Sequence, residues 1–256
     1  MHSLPVFVRL GGRPVMLIGT GEAAAAKRRL LERAGATIVG EEDAAALAII
    51  ALDDPDATVA RLRSRGVLVN AVDRPDLCDF TLPAIIDRSP VIVAIGTGGA
   101  SAGLAAALRQ RLEAMLPAGL GGLAEILHAA RARLRARFPD GGDRRRALGA
   151  ALAAGGPIDP LGADASSRVA AWLGDERSGP STDRPALTVI TLSSPDPDDL
   201  TMRQARALAH ADRVVHDAGV PSAILDRGRA DATRMVSSGP PVGYGEDVTV
   251  YLEMKR

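Results

Sequence analysis

The stretch that decides the fold is Val15-Met16-Leu17-Ile18-Gly19-Thr20-Gly21-Glu22-Ala23-Ala24. Its first four residues form an uninterrupted apolar run, which is typical of a strand buried on both faces of a parallel sheet. Gly19 permits a tight turn, Gly21 permits a close approach to a diphosphate, and Ala24 permits close packing of the next helix. The stretch therefore predicts a strand, a glycine turn and a helix whose amino end faces an anion. The alternative is a plain turn, because glycine turns join many strands to helices.

Short apolar runs alternate with helix-forming segments on either side of this turn. A helix is predicted to run to about Ala34, with Gly35 as its C-terminal cap, and a short helix through 59–62 ends at Gly66. Further strands are predicted over 37–39, 45–52 and 67–72. Alternating strands and helices predict an α/β fold with a Rossmann-like, doubly wound parallel sheet.

Three acids, Glu41, Glu42 and Asp43, follow the glycine turn by about twenty residues, the usual distance of a ribose-binding acid. Such a carboxylate can accept a hydrogen bond from the ribose 2′-hydroxyl and repel a 2′-phosphate, so the spacing favours NAD over NADP. Glu22, inside the turn itself, argues against a site for free phosphate. We therefore expect a dinucleotide site that includes Glu42 and Asp43.

Asp73 follows the predicted strand 67–72 directly. Ligands of open α/β sheets bind at the carboxyl ends of the strands, where a carboxylate can accept a proton or meet a metal ion. The alternative is an aspartate that caps the loop before Arg74-Pro75. Both interpretations stay open from the residues alone.

A second glycine and hydroxyl turn, Gly96-Thr97-Gly98-Gly99-Ala100-Ser101, follows a predicted strand over 91–95. A helix is predicted from this turn to about Met115. The turn can hold an anionic edge of a ligand, or it can be a plain turn. Residues 89–108 carry no charge, but the prolines and glycines among them indicate a strand, a loop and a helix start, not a membrane span.

The composition excludes several classes of function. Lys+Arg and Asp+Glu both number 31, and only 2% of residues are aromatic, so we expect no nucleic-acid partner. The single cysteine, Cys78, excludes a disulfide framework and a cysteine-based zinc site, and the four histidines show no metal-ligand spacing. With no visible signal peptide, we expect a cytoplasmic protein without a membrane association and without a bound metal.

The remaining chain divides into a helical region and a second α/β segment. A helix is predicted over 123–138, and its arginines at 131, 133, 135 and 137, with Arg144-Arg145-Arg146, form either a solvated surface or a patch for a multiply carboxylated ligand. Residues 155–164 and 178–184 are linker-like. A strand over 187–192, a helix over 200–210 and a strand over 213–216 follow.

Several blocks of the chain, in this order, resemble the dehydrogenase/ferrochelatase part of siroheme synthase. The resemblance covers residues 1–150 well, and its last two blocks, Phe80–Pro90 and Gly96–Ser101, are long and specific. The matching blocks are Leu4-Pro5-Val6-Phe7, Ile18–Ala24 with Lys27, Asn70–Pro75, Phe80–Pro90 and Gly96–Ser101.

The resemblance implies an NAD-dependent oxidation of precorrin-2 to sirohydrochlorin, followed in many members by insertion of Fe2+, a substrate, to give siroheme. It implies that Asp73 is the catalytic aspartate, and that Glu22 and Ala23 contact the dinucleotide with Gly19 and Gly21. It also implies a homodimer with interlocking central segments. The substrate side would comprise Thr97, Gly98, Ser101 and Arg109, where arginine suits the many carboxylates of the tetrapyrrole.

The chain departs from the family in two places. The segment between the second and third strands is shorter than usual, which removes part of the adenine side of the cofactor site. Residues 187–225 resemble the start of the uroporphyrinogen-III methyltransferase domain, but Ser193-Ser194-Pro195-Asp196-Pro197-Asp198 replaces its glycine-rich turn. We therefore expect a truncated remnant without methyltransferase activity.

The resulting domain prediction has three parts: an NAD-binding domain over 1–88, a dimerisation and helical substrate-side region over 89–180, and a small α/β remnant over 186–256. The alternative function is a catalytically impaired protein that binds a tetrapyrrole or a dinucleotide. Binding of sirohydrochlorin without NADH production would distinguish this alternative from the enzyme.

Overall fold

The computed structural model describes residues 2–175, 187–243 and 247–255. The chain forms two compact units, Met1–Leu116 and Pro117–Arg256. The division into 1–88, 89–180 and 186–256 stays a prediction. The linker-like segment 178–184 lies outside the described residues, and so does the boundary between the second and third predicted parts.

The first unit begins with alternating strands and helices. The strands and helices are β1 (Pro14–Gly19), α1 (Gly21–Arg33), β2 (Thr37–Val39), β3 (Leu47–Ala51), α2 (Asp56–Ser64), β4 (Leu68–Ala71), β5 (Ala84–Arg88), β6 (Val91–Ile95) and α3 (Ala102–Met115). Gly35 and Gly66 follow α1 and α2 with φ of 74° and 75°, the left-handed conformation that ends a helix.

The central sheet has the strand order β2-β1-β3-β4, and all its pairs are parallel. The order reverses between β1 and β3, which is the switch point where ligands bind in open α/β sheets. The predicted parallel, doubly wound, Rossmann-like sheet is therefore confirmed.

Each face of this sheet has its own apolar core. Leu31 of α1 packs with Val15, Leu17 and Ile49 on one face. On the other face, the α2 side chains pack against alternate residues of the same strands; this core comprises Met16, Ala48, Ile50, Val59, Leu62, Val67, Val69 and Ala71. The two helices thus hold the carboxyl ends of β1, β3 and β4 at one edge.

An antiparallel hairpin of β5 and β6 follows the central sheet, with Ala84 opposite Ile95 and Arg88 opposite Val91. We predicted β6 but not β5, whose residues read as a lead-in segment. The helix predicted to end near Met115 is confirmed as α3. Within the described chain, none of the helices has the length and apolar character needed to cross a bilayer.

The second unit begins with helices. These are α4 (Leu120–Ala129), α5 (Arg131–Arg137), α6 (Gly141–Leu152) and α7 (Ala165–Gly174). The single helix predicted over 123–138 is two helices, because the regular helical conformation is interrupted at Ala130, where ψ is 0°. Phe138 and Trp172 anchor the core, with ring centroids 6.5 Å apart.

A second parallel sheet completes this unit. Its elements are β7 (Leu187–Leu192), α8 (Met202–His210), β8 (Arg213–His216), α9 (Ser222–Leu225), β9 (Thr233–Val236) and β10 (Thr249–Met254). The strand order is β7-β10-β8-β9. The predicted β7, α8 and β8 are confirmed, whereas β9 and β10 were not predicted.

Asp212, just before β8, connects the two parts of this unit. Its side chain is only 7% exposed and lies 3.4 Å from Arg229 and 3.5 Å from Arg146 of α6. The carboxylate also accepts a hydrogen bond from the Val248 N–H. A buried carboxylate is costly unless such partners compensate its lost hydration, so this cluster fixes α6 against the second sheet.

Candidate functional site

The glycine turn lies at the carboxyl end of β1, directly beside β3. Gly19 has φ of 115°, and a Cβ atom there would lie 2.0 Å from the carbonyl oxygen of Ala51. Only glycine therefore fits between the two strands. Gly21 has φ of 83°, but no atom of the residues that the structure describes lies within 4 Å of its missing Cβ, so the space in front of it is open.

The amino end of α1 continues from this open space. Thr20 is the N-cap residue, but its side chain accepts no hydrogen bond from the helix. The first-turn N–H groups are thus left for an external acceptor, and the helix dipole favours an anion there. Ala24 is buried against the sheet, while Glu22 and Ala23 are exposed. This cradle fits the diphosphate of a dinucleotide.

Asp73 stands at the same edge of the sheet. Ala71 pairs with Ile50, one residue before the Ala51 that pairs with Gly19, and two strand spacings of about 5 Å separate β4 from β1. Asp73 has φ of 60°, a conformation uncommon for residues other than glycine. Among the described residues its exposed carboxylate has no hydrogen-bond or ion-pair partner. The loop-capping alternative is therefore not supported, and the carboxylate is available to a ligand.

The loop over 72–80 that carries Asp73 is held by buried and charged contacts. Asp79 accepts hydrogen bonds from the Val69 N–H at 2.9 Å and from the Arg63 guanidinium at 2.8 Å. Asn70, buried within β4, donates to the Phe80 carbonyl at 2.9 Å. These contacts hold the end of the loop against β4.

Arg74 fixes the tip of the same loop. Its guanidinium lies 3.0 Å from Asp56, the first residue of α2, and 2.8 Å from Asp76. The hydrogen bonds that the guanidinium donates to Asp76 and Asp56 raise the pKa of Arg74, and the Arg74 guanidinium in turn lowers the pKa of Asp76. The residue beside Asp73 is therefore tied to the start of α2.

Acid is expected to loosen this loop through Asp79. Burial raises the pKa of the Asp79 carboxyl, but the hydrogen bonds from Arg63 and Val69 outweigh burial, and the pKa lies below its ordinary value. A carboxyl with a lowered folded pKa stabilises the fold above its unfolded pKa of about 3.9, and this stabilisation is lost as the pH falls through the folded pKa. At neutral pH we expect Asp79→Asn to speed hydrogen exchange of residues 68–80 about fivefold, equivalent to about 1 kcal/mol.

Hydrogen–deuterium exchange of both proteins at matched pH values checks this. The difference between them should shrink as the pH falls below the unfolded pKa of about 3.9 and through the lowered pKa of Asp79, where the native carboxyl also becomes protonated. A difference that stays constant down to acid pH would show that the charge of Asp79 does not hold the loop.

The Gly96–Ser101 turn approaches the Asp73 loop. Gly99 has φ of 84°, and a Cβ atom there would lie 2.9 Å from the Pro75 side chain. At Gly99, therefore, the turn that carries Thr97, Gly98 and Ser101 meets the loop over 72–80. The hydroxyls have local partners: Thr97 Oγ1 donates to the Ser101 carbonyl at 3.0 Å, and Ser101 Oγ accepts from the Leu104 N–H.

Arg109 is not brought to this turn. It lies two helical turns into α3 and donates to the Ile85 carbonyl at 3.0 Å and to Glu113 at 3.3 Å. Arg137 and Arg144 of the second unit likewise donate to the backbone carbonyls of Trp172 and Phe138. The exposed arginines of that segment are Arg131, Arg133, Arg135 and Arg145.

Glu42 and Asp43 are also placed away from the glycine turn. They lie between β2 and β3, on a segment whose Glu41 and Asp43 carbonyls accept hydrogen bonds from Arg65, the residue just after α2. The Asp43 carboxylate accepts a hydrogen bond from the Gly40 N–H at 2.9 Å. Their predicted contact with a ribose thus has no support from their position.

Sequence reasoning missed the residues that hold the Asp73 loop. Asn70 gave a signal, since a polar residue inside an otherwise apolar strand needs a hydrogen-bond partner. Arg74 and Asp79 gave no signal in the sequence, because their partners Asp56 and Arg63 come from a different element. No group of three or more His, Cys, Asp or Glu residues in the described chain is arranged to hold a metal ion.

Known proteins resemble this chain over most of its length. The siroheme synthase of Nitrosomonas europaea is 37% identical over an alignment of 270 residues, which covers 92% of this chain and 56% of that protein. The siroheme synthases of Methylococcus capsulatus and Azotobacter vinelandii are 36% and 34% identical, again over 92% of this chain and 57% of each relative. The chain thus spans little more than half the length of these relatives.

Two further comparisons found matches. A family described as "Putative NAD(P)-binding" matches residues 39–84. The solved structure named "SirC, precorrin-2 dehydrogenase" is 21% identical, with a TM-score of 0.45, and the match covers 57% of this chain and 87% of that one. The sequence comparisons confirm the resemblance predicted from the motifs.

Proposed function

We propose, since the chain is homologous to the siroheme synthases over 92% of its length, that it oxidises precorrin-2 to sirohydrochlorin with NAD. The observation that carries this proposal is the Asp73 carboxylate, which has no partner in the described part of the chain and lies at the same sheet edge as the Gly19–Gly21 cradle. The strands that lead to them, β4 and β1, lie about 10 Å apart, which leaves room at that edge for the reacting rings of the cofactor and the substrate. The relatives' name supplies the substrate class.

The mechanism assigns the diphosphate of the cofactor to Gly19, Gly21 and the first-turn N–H groups that include Glu22 and Ala23. A bound NAD supplies the acceptor for a hydride. The oxidation removes a hydride and a proton from the macrocycle, and Asp73 accepts that proton as general base. Arg74 keeps the carboxylate at the edge by binding Asp56 and Asp76.

Iron insertion at the same edge is a further part of the proposal. The pyrrole protons of sirohydrochlorin must leave as Fe2+ enters, and the Asp73 carboxylate can accept them. Fe2+ is then a substrate, and it needs no resident metal site in this chain. Loss of the sirohydrochlorin spectrum on addition of Fe2+ to the protein, at a rate above that of free solution, measures this step.

A homodimer is supported by an exposed apolar stripe on α3. Leu104, Leu108 and Met115 lie on one face of the helix, and they are 54%, 39% and 60% exposed. Ile92 of the adjoining hairpin is also exposed. Large apolar side chains in such a cluster mark a protein interface, so we assign this face to a second copy of the chain.

The second parallel sheet is assigned no methyltransferase activity. Its first loop, residues 193–201, is stiffened by Pro195 and Pro197 and by an Asp196 side chain that accepts from the Asp198 N–H. Its carboxylates repel an anion, and it has no glycine to admit a ligand closely.

We also infer a cytoplasmic location for the protein, from its single cysteine and proposed substrate.

The experiment that tests the function supplies precorrin-2 and NAD to the full chain and follows NADH absorbance. We expect NADH and sirohydrochlorin to form in equal amounts. Binding of sirohydrochlorin without any NADH formation would instead support a catalytically impaired tetrapyrrole-binding protein. The short segment after β2 is the observation that favours this second candidate, because it trims the cofactor site.

A further inference from the structure

We propose that the cofactor site of the first unit does not distinguish NAD from NADP. This inference rests on the proposed function, because it concerns the same dinucleotide cradle. In related folds, a carboxylate at the end of the second strand binds the ribose 2′-hydroxyl and excludes a 2′-phosphate. Three observations place the corresponding carboxylates of this chain elsewhere.

The first observation is the register of β2. Its three residues pair only with the amino-terminal half of β1, from Pro14↔Thr37 to Met16↔Val39. Gly19 lies three residues beyond Met16, which is about 10 Å further along the sheet at ~3.3 Å per residue. The chain therefore leaves the sheet well before the edge at which a dinucleotide would bind.

The second observation is the path of the chain after β2. Residues 40–46 cross β1 on the face covered by α2, where Val39 and Ala45 pack against the core of that face. The Ala46 carbonyl then accepts from the Leu68 N–H, at the amino end of β4. Because all strands of the sheet are parallel, this is the edge opposite to the glycine turn.

The third observation is that Glu41 and Asp43 have local partners. The Glu41 carboxylate lies 2.8 Å from the Arg61 guanidinium, and the Asp43 carboxylate accepts from the Gly40 N–H. Glu42 is exposed on the same segment. At this separation a carboxylate cannot hydrogen-bond a ribose, and physiological salt screens its repulsion of a phosphate.

The remaining carboxylates near the cradle occupy other positions. Glu22 stands in the first turn of α1, beside the position proposed for the diphosphate, which is common to both cofactors. Asp53 follows β3, which lies on the opposite side of β1 from β2. The contacts that remain are therefore the same for NAD and NADP.

The experiment titrates the full chain with NADH and with NADPH and measures binding by nicotinamide fluorescence and by calorimetry. We expect the two dissociation constants to agree within about threefold. NADH binding at least tenfold tighter than NADPH would overturn this inference and leave the proposed function intact. Absence of binding by either cofactor would overturn both.

Two isosteric variants sharpen the test. Glu42→Gln and Asp43→Asn remove charge, while the asparagine can still accept from the Gly40 N–H. Each should leave both dissociation constants within about twofold of the native values. Weaker NADH binding together with stronger NADPH binding in either variant would place that residue at the ribose and contradict the proposal.

Discussion

Asp73→Asn is expected to lower the rate of precorrin-2 oxidation about 10²- to 10⁴-fold, the usual effect of removing a general base. The amide has the size of the carboxylate but cannot accept the substrate proton. Asparagine also tolerates the left-handed conformation that Asp73 adopts, with φ of 60°. Alanine at this position would add backbone strain, so asparagine isolates the chemical effect.

Steady-state rates with precorrin-2 and NAD measure this loss, and NADH titration shows whether the cofactor cradle survives. We expect the NADH dissociation constant of Asp73→Asn to stay within about twofold of the native value. Asp54→Asn is the matched control, because Asp54 is an exposed carboxylate that plays no part in the proposed mechanism. A rate for Asp73→Asn equal to that of the control would remove Asp73 from the mechanism.

The structure of the first α/β half of the chain could be predicted from local sequence patterns. The apolar run at 15–18, the glycines at 19 and 21, and the glycines after α1 and α2 each dictate a conformation through nearby residues alone. Asp73 could be placed at the carboxyl edge for the same reason, since it directly follows a predicted strand. Local rules therefore located the cradle and the proposed base.

The position of Glu42 and Asp43 could not be read this way. Their spacing from the glycine turn suited a ribose-binding acid, but their place in the fold depends on how far β2 pairs along β1. That register is set by the short crossover and by Arg61 of α2 and Arg65 just after it, which are distant in sequence. A spacing rule assumes a full-length second strand, and this chain has a strand of three residues.

The missed strands have a similar explanation. Residues 84–88 become β5 only because 91–95 fold back antiparallel against them. Strand β10 is buried between β7 and β8, although it comes last in the chain. Pairing partners far apart in sequence leave no local signature beyond a short apolar run, which also suits a buried helix segment.

Gly19→Ala is expected to destabilise the first unit more than any other single methyl addition in the glycine turn. The new Cβ would lie 2.0 Å from the Ala51 carbonyl oxygen, and φ is 115°. Because both clashing groups belong to the backbone of adjacent central strands, the strands must separate. We expect a loss of about 4 kcal/mol or more, a large part of the stability of a domain.

Gly21→Ala is the matched variant, since it adds the same methyl group two residues away, also at positive φ. Nothing lies within 4 Å of that Cβ, so we expect a cost of only about 1 kcal/mol from the backbone conformation. The methyl group would instead occupy the open space assigned to the diphosphate, so NADH binding should weaken at least tenfold. Thermal unfolding by circular dichroism and NADH titration distinguish the two variants. Gly19→Ala should show a large loss of stability in the unfolding measurement. Gly21→Ala should lose little stability and show its main effect as weaker binding in the NADH titration. Native-like NADH binding by Gly21→Ala would show that the dinucleotide does not rest on this turn, because the added methyl group leaves it no room there.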